Sequence, residues 1–202
     1  MTDTEKDKKV GWIIWFVGLP GSGKSTYARA VYQALRGRGK DVRYLAMDER
    51  RRTYTPHPQY TSEERVRAYR LFAEEAADEA RKGNNVIMDG SAPELKMREY
   101  ARRLVPRFAE IYVRCPLETA MRRETARPEG RVMADLYKKA IERKNTGVGF
   151  EGLGEVIGVD QPFEENPSAE CIIYSDEITI QGGRDRVLTF LSSWQAESAD
   201  HH

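Results

Sequence analysis

Short continuous hydrophobic runs alternate along this chain with longer stretches in which apolar residues recur every three or four positions. Residues 12–17 (Trp-Ile-Ile-Trp-Phe-Val) form an unbroken apolar run, the pattern of a strand covered on both faces. A glycine-rich turn comes next, then helical spacing over 24–35, closed by Gly37-Arg38-Gly39. A second strand is predicted over 42–47, leaving Asp48 at its carboxyl end, and 54–60, with Pro56 and Pro58, reads as a loop. Thr61-Ser62-Glu63-Glu64 supplies a cap for a long helix reaching about Lys82, with a buried stripe of Val66, Tyr69, Phe72, Ala73, Ala76 and Ala80. Further strands are predicted over 85–88, ending in Asp89-Gly90, over 110–115 and over 171–174, with helices over 94–104, 117–124 and 135–143. A terminal helix is striped by Val187, Leu188, Leu191 and Trp194.

Five strands alternating with helices predict an α/β three-layer sandwich: a mostly parallel sheet, helices on both faces, ligands at the carboxyl ends of the strands. The 202 residues read as one domain, with flexible tails at 1–10 and 196–202 and a weakly patterned, loop-rich segment over about 125–169. Lys and Arg total 33 against 32 for Asp and Glu, so no basic field points to nucleic acid. The N-terminal segment has no apolar signal core and no run of eighteen apolar residues occurs, so a soluble cytoplasmic protein is expected. Cys115 and Cys171 sit in or beside strand runs and are expected as buried thiols.

The turn after the first strand is Gly18-Leu19-Pro20-Gly21-Ser22-Gly23-Lys24-Ser25. Gly18, Gly21 and Gly23 let backbone N–H groups curl around phosphates, with Pro20 and Ser22 completing the loop, and the helix after it points its positive end at the same place. Lys24 is expected to reach the β- and γ-phosphates of ATP and Ser25 to hold Mg²⁺ through its hydroxyl, with Thr26 as a weaker second hydroxyl. Asp48 and Asp89 each come directly after an apolar run, so both carboxylates are expected in the crevice above the sheet. Asp48 is the candidate orienter or base for an acceptor hydroxyl, and Asp89 resembles the acid that holds Mg²⁺ in such folds. The two roles are interchangeable on sequence alone, and either acid could instead cap a helix. Arginines at 50–52, 65, 70, 122, 123, 127 and 131 could neutralise a transferred phosphoryl group, although a solvated surface position is the ordinary fate of any single one.

These residues resemble the adenylylsulfate (APS) kinases, which phosphorylate the ribose 3′-hydroxyl of adenosine 5′-phosphosulfate. Gly18 to Thr26 looks like their phosphate loop, and Asp48 and Arg51 like the acid and arginine of Asp-Gly-Asp-Asn-x-Arg. Tyr60 to Arg70 is similar to Phe-Ser-x-x-Asp-Arg-x-x-Asn-x-Arg. Leu136-Tyr137-Lys138-Lys139-Ala140 and Gly158-Val159-Asp160-Gln161-Pro162-Phe163-Glu164 match two further family runs. The resemblance implies an ATP- and Mg²⁺-dependent kinase for a small acceptor, with Arg123 on the ATP side. It places Arg51, Tyr60, Arg65, Lys139 and Phe163 on the acceptor, a lid over 125–169, and a homodimer, while the aromatic residues Tyr60, Tyr69 and Phe163 fit packing positions equally well, Tyr69 above all. The departures are Glu49 and Ala68 at two asparagine positions, a changed 89–94 loop, extra residues at 125–134 and 147–156, and Val156 and Ile157 where an aromatic residue is expected. They imply an altered acceptor pocket and an enlarged lid.

Overall fold

The structure is a computed structural model that describes residues 10–56, 61–126 and 135–197. Among them, five strands form one sheet in the order β2-β3-β1-β4-β5, every neighbouring pair parallel. β1 (Ile13–Val17) is buried at all five positions and its side chains divide by parity. Ile13, Trp15 and Val17 join a cluster with Tyr69, Phe72, Ala76 and Met88 on one face, while Ile14 and Phe16 join Tyr27, Val31, Ile87, Leu188 and Leu191 on the other. A strand with two covered faces therefore reads as a continuous apolar run. The helices α3 (Ser62–Arg81) and α4 (Leu95–Leu104) cover the first face, and α1 (Lys24–Gly37) and α7 (Ile180–Glu197) the second.

Register brings the chemistry to one edge. In β3 (Asn85–Asp89) the terminal Asp89 pairs with Phe16 of β1 and with Ala46 of β2 (Val42–Ala46), so three strands end at one level beside Gly18. β4 (Phe108–Arg114) and the edge strand β5 (Cys171–Tyr174) extend the sheet on the other side. Cys115 and Cys171 are both buried free thiols, as expected. Thr61 caps α3 by accepting the Glu64 N–H at 3.3 Å, the cap read from the sequence.

One element differs from expectation. Asp48 does not project from a strand end: β2 stops at Ala46, and Met47–Tyr54 is a separate helix, α2. Met47 is its one buried residue, so it carries no apolar period to read. Asp48 and Glu49 in its first turn and Arg51 and Arg52 in its last complement the helix dipole instead. α5 (Leu117–Thr125) matches its expected span, whereas α6 (Leu136–Thr146) runs three residues beyond its own and closes at Gly147, φ +77°. Residues 57–60, and with them Tyr60, and 127–134, with Arg127 and Arg131, lie outside the described residues.

A buried ion pair fixes the far rim of the sheet. Arg98 of α4 meets Glu110 of β4 at 2.7 Å with side chains 2% and 1% exposed. Glu110 also accepts from Asn166 Nδ2 at 2.8 Å, and Arg98 donates to the Glu164 carbonyl and lies over the Phe163 ring, so the pair gathers residues 163–166. Glu110→Ala strands a buried guanidinium and is expected to cost about 3–5 kcal/mol in denaturant unfolding. Replacing both partners by Arg98→Met and Glu110→Leu should recover most of that loss.

Candidate active site

The loop between β1 and α1 adopts backbone angles that side chains resist: φ is +148° at Gly18, +80° at Gly21 and +94° at Gly23. At Gly21 space adds a second constraint, because a Cβ there would lie 2.2 Å from the Ala120 carbonyl oxygen of α5. α1 starts at Lys24, and the Thr26 and Tyr27 amides already bond back to the Gly23 carbonyl at 2.9 and 3.1 Å. The loop is braced from behind by α6 and α5. Buried Tyr137 donates to the Pro20 carbonyl at 2.8 Å, and burial pushes its phenol well above the ordinary tyrosine range. Arg123 donates to the Ser22 carbonyl at 3.4 Å and to Ser175 at 3.0 Å through Oγ and 2.8 Å through O.

Above the loop opens a cleft of about 1120 Å³, open solvent at its mouth included. Pro20, Gly21, Gly23, Lys24 and Ser25 line its floor, and Asp48, Asp89, Arg51 and Arg65 line its walls. Two acids thus face one crevice, although Asp48 arrives from α2 rather than from a strand end. The acids differ in setting: Asp89 is 5% exposed and accepts from the Tyr44 hydroxyl at 2.7 Å, whereas Asp48 is exposed. Arg51 approaches Glu64 at 3.8 Å. Arg65 is 4% exposed, and burial lowers its pKa from the usual guanidinium value. Tyr69 serves both core and cleft wall, and burial raises its pKa.

Several expected site residues lie elsewhere. Gly18 and Ser22 shape the loop without lining the cleft, and Thr26 is exposed on α1. Arg123 does not line the cleft either, because its guanidinium is committed to backbone oxygens behind the loop. Lys139 is half-buried on α6 and does not line the cleft; the buried positions of that helix are Tyr137 and Ala140. Phe163 stacks on Tyr112 with ring centroids 5.5 Å apart, as a packing residue of the outer sheet. The run that contains it is a strap. Asp160 accepts the Val156 N–H at 2.7 Å and binds Arg143, Gln161 bridges Arg65 and Glu94, and Glu164 accepts the Leu95 N–H at 2.6 Å.

The two substituted asparagine positions also fall outside the cleft lining. Ala68 is core, and Glu49 points to Arg29 of α1 at 3.6 Å. Part of the segment expected as an enlarged lid lines the cleft instead: Gly152, Leu153, Gly154, Glu155, Val156 and Ile157 form one wall. Sequence reasoning expected a lid over this segment without placing 152–157 as a wall of the cleft, and it missed Tyr137 as the brace and Glu124 as a buried acid of the cleft. The spacing of Tyr137, Ala140, Leu153 and Val156, which pack as one cluster, was the available signal for the first two.

A parallel sheet of this order with a phosphate loop on its central strand, facing acids and arginines across one cleft, defines a P-loop kinase. The chain belongs to the adenylylsulphate kinase family, which it matches over residues 10–174. It is 33% identical over 168 residues to a probable adenylyl-sulfate kinase of Archaeoglobus fulgidus, covering 83% of this chain and 98% of that one. It is 31% identical over 182 residues to an adenylyl-sulfate kinase of Paraburkholderia xenovorans, covering 90% and 93%. The fold is also that of the Mycobacterium tuberculosis APS kinase in complex with AMPPNP and APS, at TM-score 0.75, 24% identity and coverage of 90% and 98%.

Gly21→Ala combines a left-handed φ with a backbone collision, so nucleotide affinity measured by calorimetry is expected to fall about tenfold or more. Tyr137→Phe removes only the hydrogen bond to Pro20. It should weaken nucleotide binding by a few-fold, as a neutral bond worth about 1 kcal/mol implies.

Proposed function

We propose that this protein transfers the γ-phosphate of ATP to the 3′-hydroxyl of adenosine 5′-phosphosulfate. The observation that carries the reading is the arrangement of one cleft, with Lys24 and Ser25 on its floor and Asp48, Arg51 and Arg65 around its mouth. Family membership supports the same donor and acceptor. The backbone amides of Gly21, Gly23, Lys24 and Ser25, which line the cleft, and the Lys24 ammonium hold the β- and γ-phosphates, where N–H dipoles and one cation offset concentrated negative charge. Asp48, at the start of α2 and open to solvent, orients the acceptor hydroxyl and takes its proton as the oxygen attacks the γ-phosphorus and the bond to the β,γ-bridging oxygen breaks, releasing ADP. Arg51 and Arg65 grip the acceptor's acidic groups, a task suited to planar, permanently charged guanidinium.

The Ser25 hydroxyl and the Asp89 carboxylate are hard oxygen donors facing the same cleft and fit Mg²⁺. When bound, the ion neutralises charge on the β- and γ-phosphates. Tyr44, bonded to Asp89, fixes which way that carboxylate faces. Glu124 and Leu136 bound the cleft near the loop, and the 152–157 wall excludes water that would otherwise hydrolyse ATP.

Asp48→Asn keeps the shape and removes the base. Coupled ADP release with APS should show kcat lowered about 10²–10⁴-fold, with ATP affinity close to that of the unchanged protein. Undiminished turnover in the variant would remove Asp48 from this role. Chelation of divalent ions should abolish turnover, and Mg²⁺ should restore it.

A further inference from the structure

In the acceptor half of the cleft the cations already have partners. Arg51 faces Glu64, and both belong to helices, α2 and α3, that pack against each other. Arg65 is held differently. Its NH2 donates to the Glu155 carbonyl at 2.6 Å and its NH1 to Gln161 Oε1, while the Glu155 carboxylate lies 4.0 Å away. That carboxylate also accepts from Ser62 Oγ at 2.5 Å, joining the loop to the first turn of α3.

The segment bearing Glu155 is held from two sides. Gly147 and Gly152 have φ of +77° and +74°, and Gly149 and Gly154 lie between and beyond them. On the α6 side Arg143 donates to the Leu153 and Gly154 carbonyls at 2.8 and 3.0 Å and to Asp160 at 2.6 Å, and Leu153 is seated among Tyr137, Ala140 and Val156. Opposite, the same segment is tied by Arg65 and Ser62, and the Glu155 side chain remains 46% exposed. An anionic acceptor that needs Arg65 must compete with a carbonyl and a carboxylate already there.

We propose that Glu155 sets acceptor selectivity by acting as an internal competitor for Arg65, latched by Ser62, so that a doubly charged acceptor must displace it to bind. This rests on the acceptor reading given above. Glu155 is thus a positioning residue acting through Arg65, and its effect falls on the acceptor rather than on ATP. Weakly charged hydroxyl compounds, which cannot drive the exchange, are discriminated against by the same contact.

The test uses the full chain with Glu155→Gln, which removes the charge, and Ser62→Ala, which removes the latch. With Mg²⁺ and ADP filling the phosphate loop, calorimetric APS affinity is expected to rise roughly three- to tenfold in each. The KM for APS should fall in parallel and the KM for ATP should stay put. Unchanged or weaker APS binding in Glu155→Gln overturns the proposal. If none of the proteins binds or phosphorylates APS, the acceptor reading falls, and the competitor is judged on pyrophosphate, which needs only the arginine. Tighter pyrophosphate binding in Glu155→Gln upholds it, and equal binding overturns it.

Discussion

A loop that wraps phosphates needs its N–H groups turned inward, and a backbone turned that way has few hydrogen bonds of its own to hold it. Here the support comes from elsewhere in the chain. The Tyr137 hydroxyl holds the Pro20 carbonyl, the Arg123 guanidinium holds that of Ser22, and the Ala120 carbonyl lies close enough to Gly21 to exclude any side chain. These three residues come from α5 and α6, and α6 is the helix that leads into the 152–157 wall of the cleft. The 18–25 loop and these two helices are therefore one packed unit, and the floor of the cleft cannot shift without disturbing the helix from which the 152–157 wall continues.

The same economy governs the acids. Strand register sets Asp89 level with Phe16 and Ala46, and the chain beyond Ala46 turns directly into α2 to present Asp48 at the mouth. Burial separates them. Asp89, hydrogen-bonded by Tyr44 and shielded, is fixed in orientation, whereas Asp48 is in contact with solvent. Two chemically identical side chains thus acquire different surroundings from the elements that carry them.

The sheet, its parallel direction and the two-sided core were legible because Ile13 to Val17 and Val86 to Met88 are apolar on both faces. The phosphate loop was legible because its glycines are demanded by backbone angles. α2 was not, since one buried residue in eight gives no period. The surroundings of Arg123, Lys139 and Phe163 were not legible either. Charge and aromaticity say what a side chain can bind, but whether it reaches a ligand or a carbonyl depends on packing between distant segments. Likewise Ala68 and Glu49 carry exchanged residues without lining the cleft, while the glycine-rich 152–157 wall, unpatterned in sequence, forms much of it.

The strap over 158–166 has a consequence for how such an enzyme can diversify. Asp160, Gln161 and Glu164 fasten it to α6, α3 and α4, and the Arg98–Glu110 pair pins its last residues through Glu164 and Asn166. Between Thr146 and Val156 the chain is thus a cassette clamped at both borders. Lengthening such a loop costs little, about 0.6 kcal/mol for each doubling. Insertions there can reshape the 152–157 wall of the cleft while the 18–25 loop and the strand ends stay as they were, so new cleft shapes can be sampled without rebuilding the sheet.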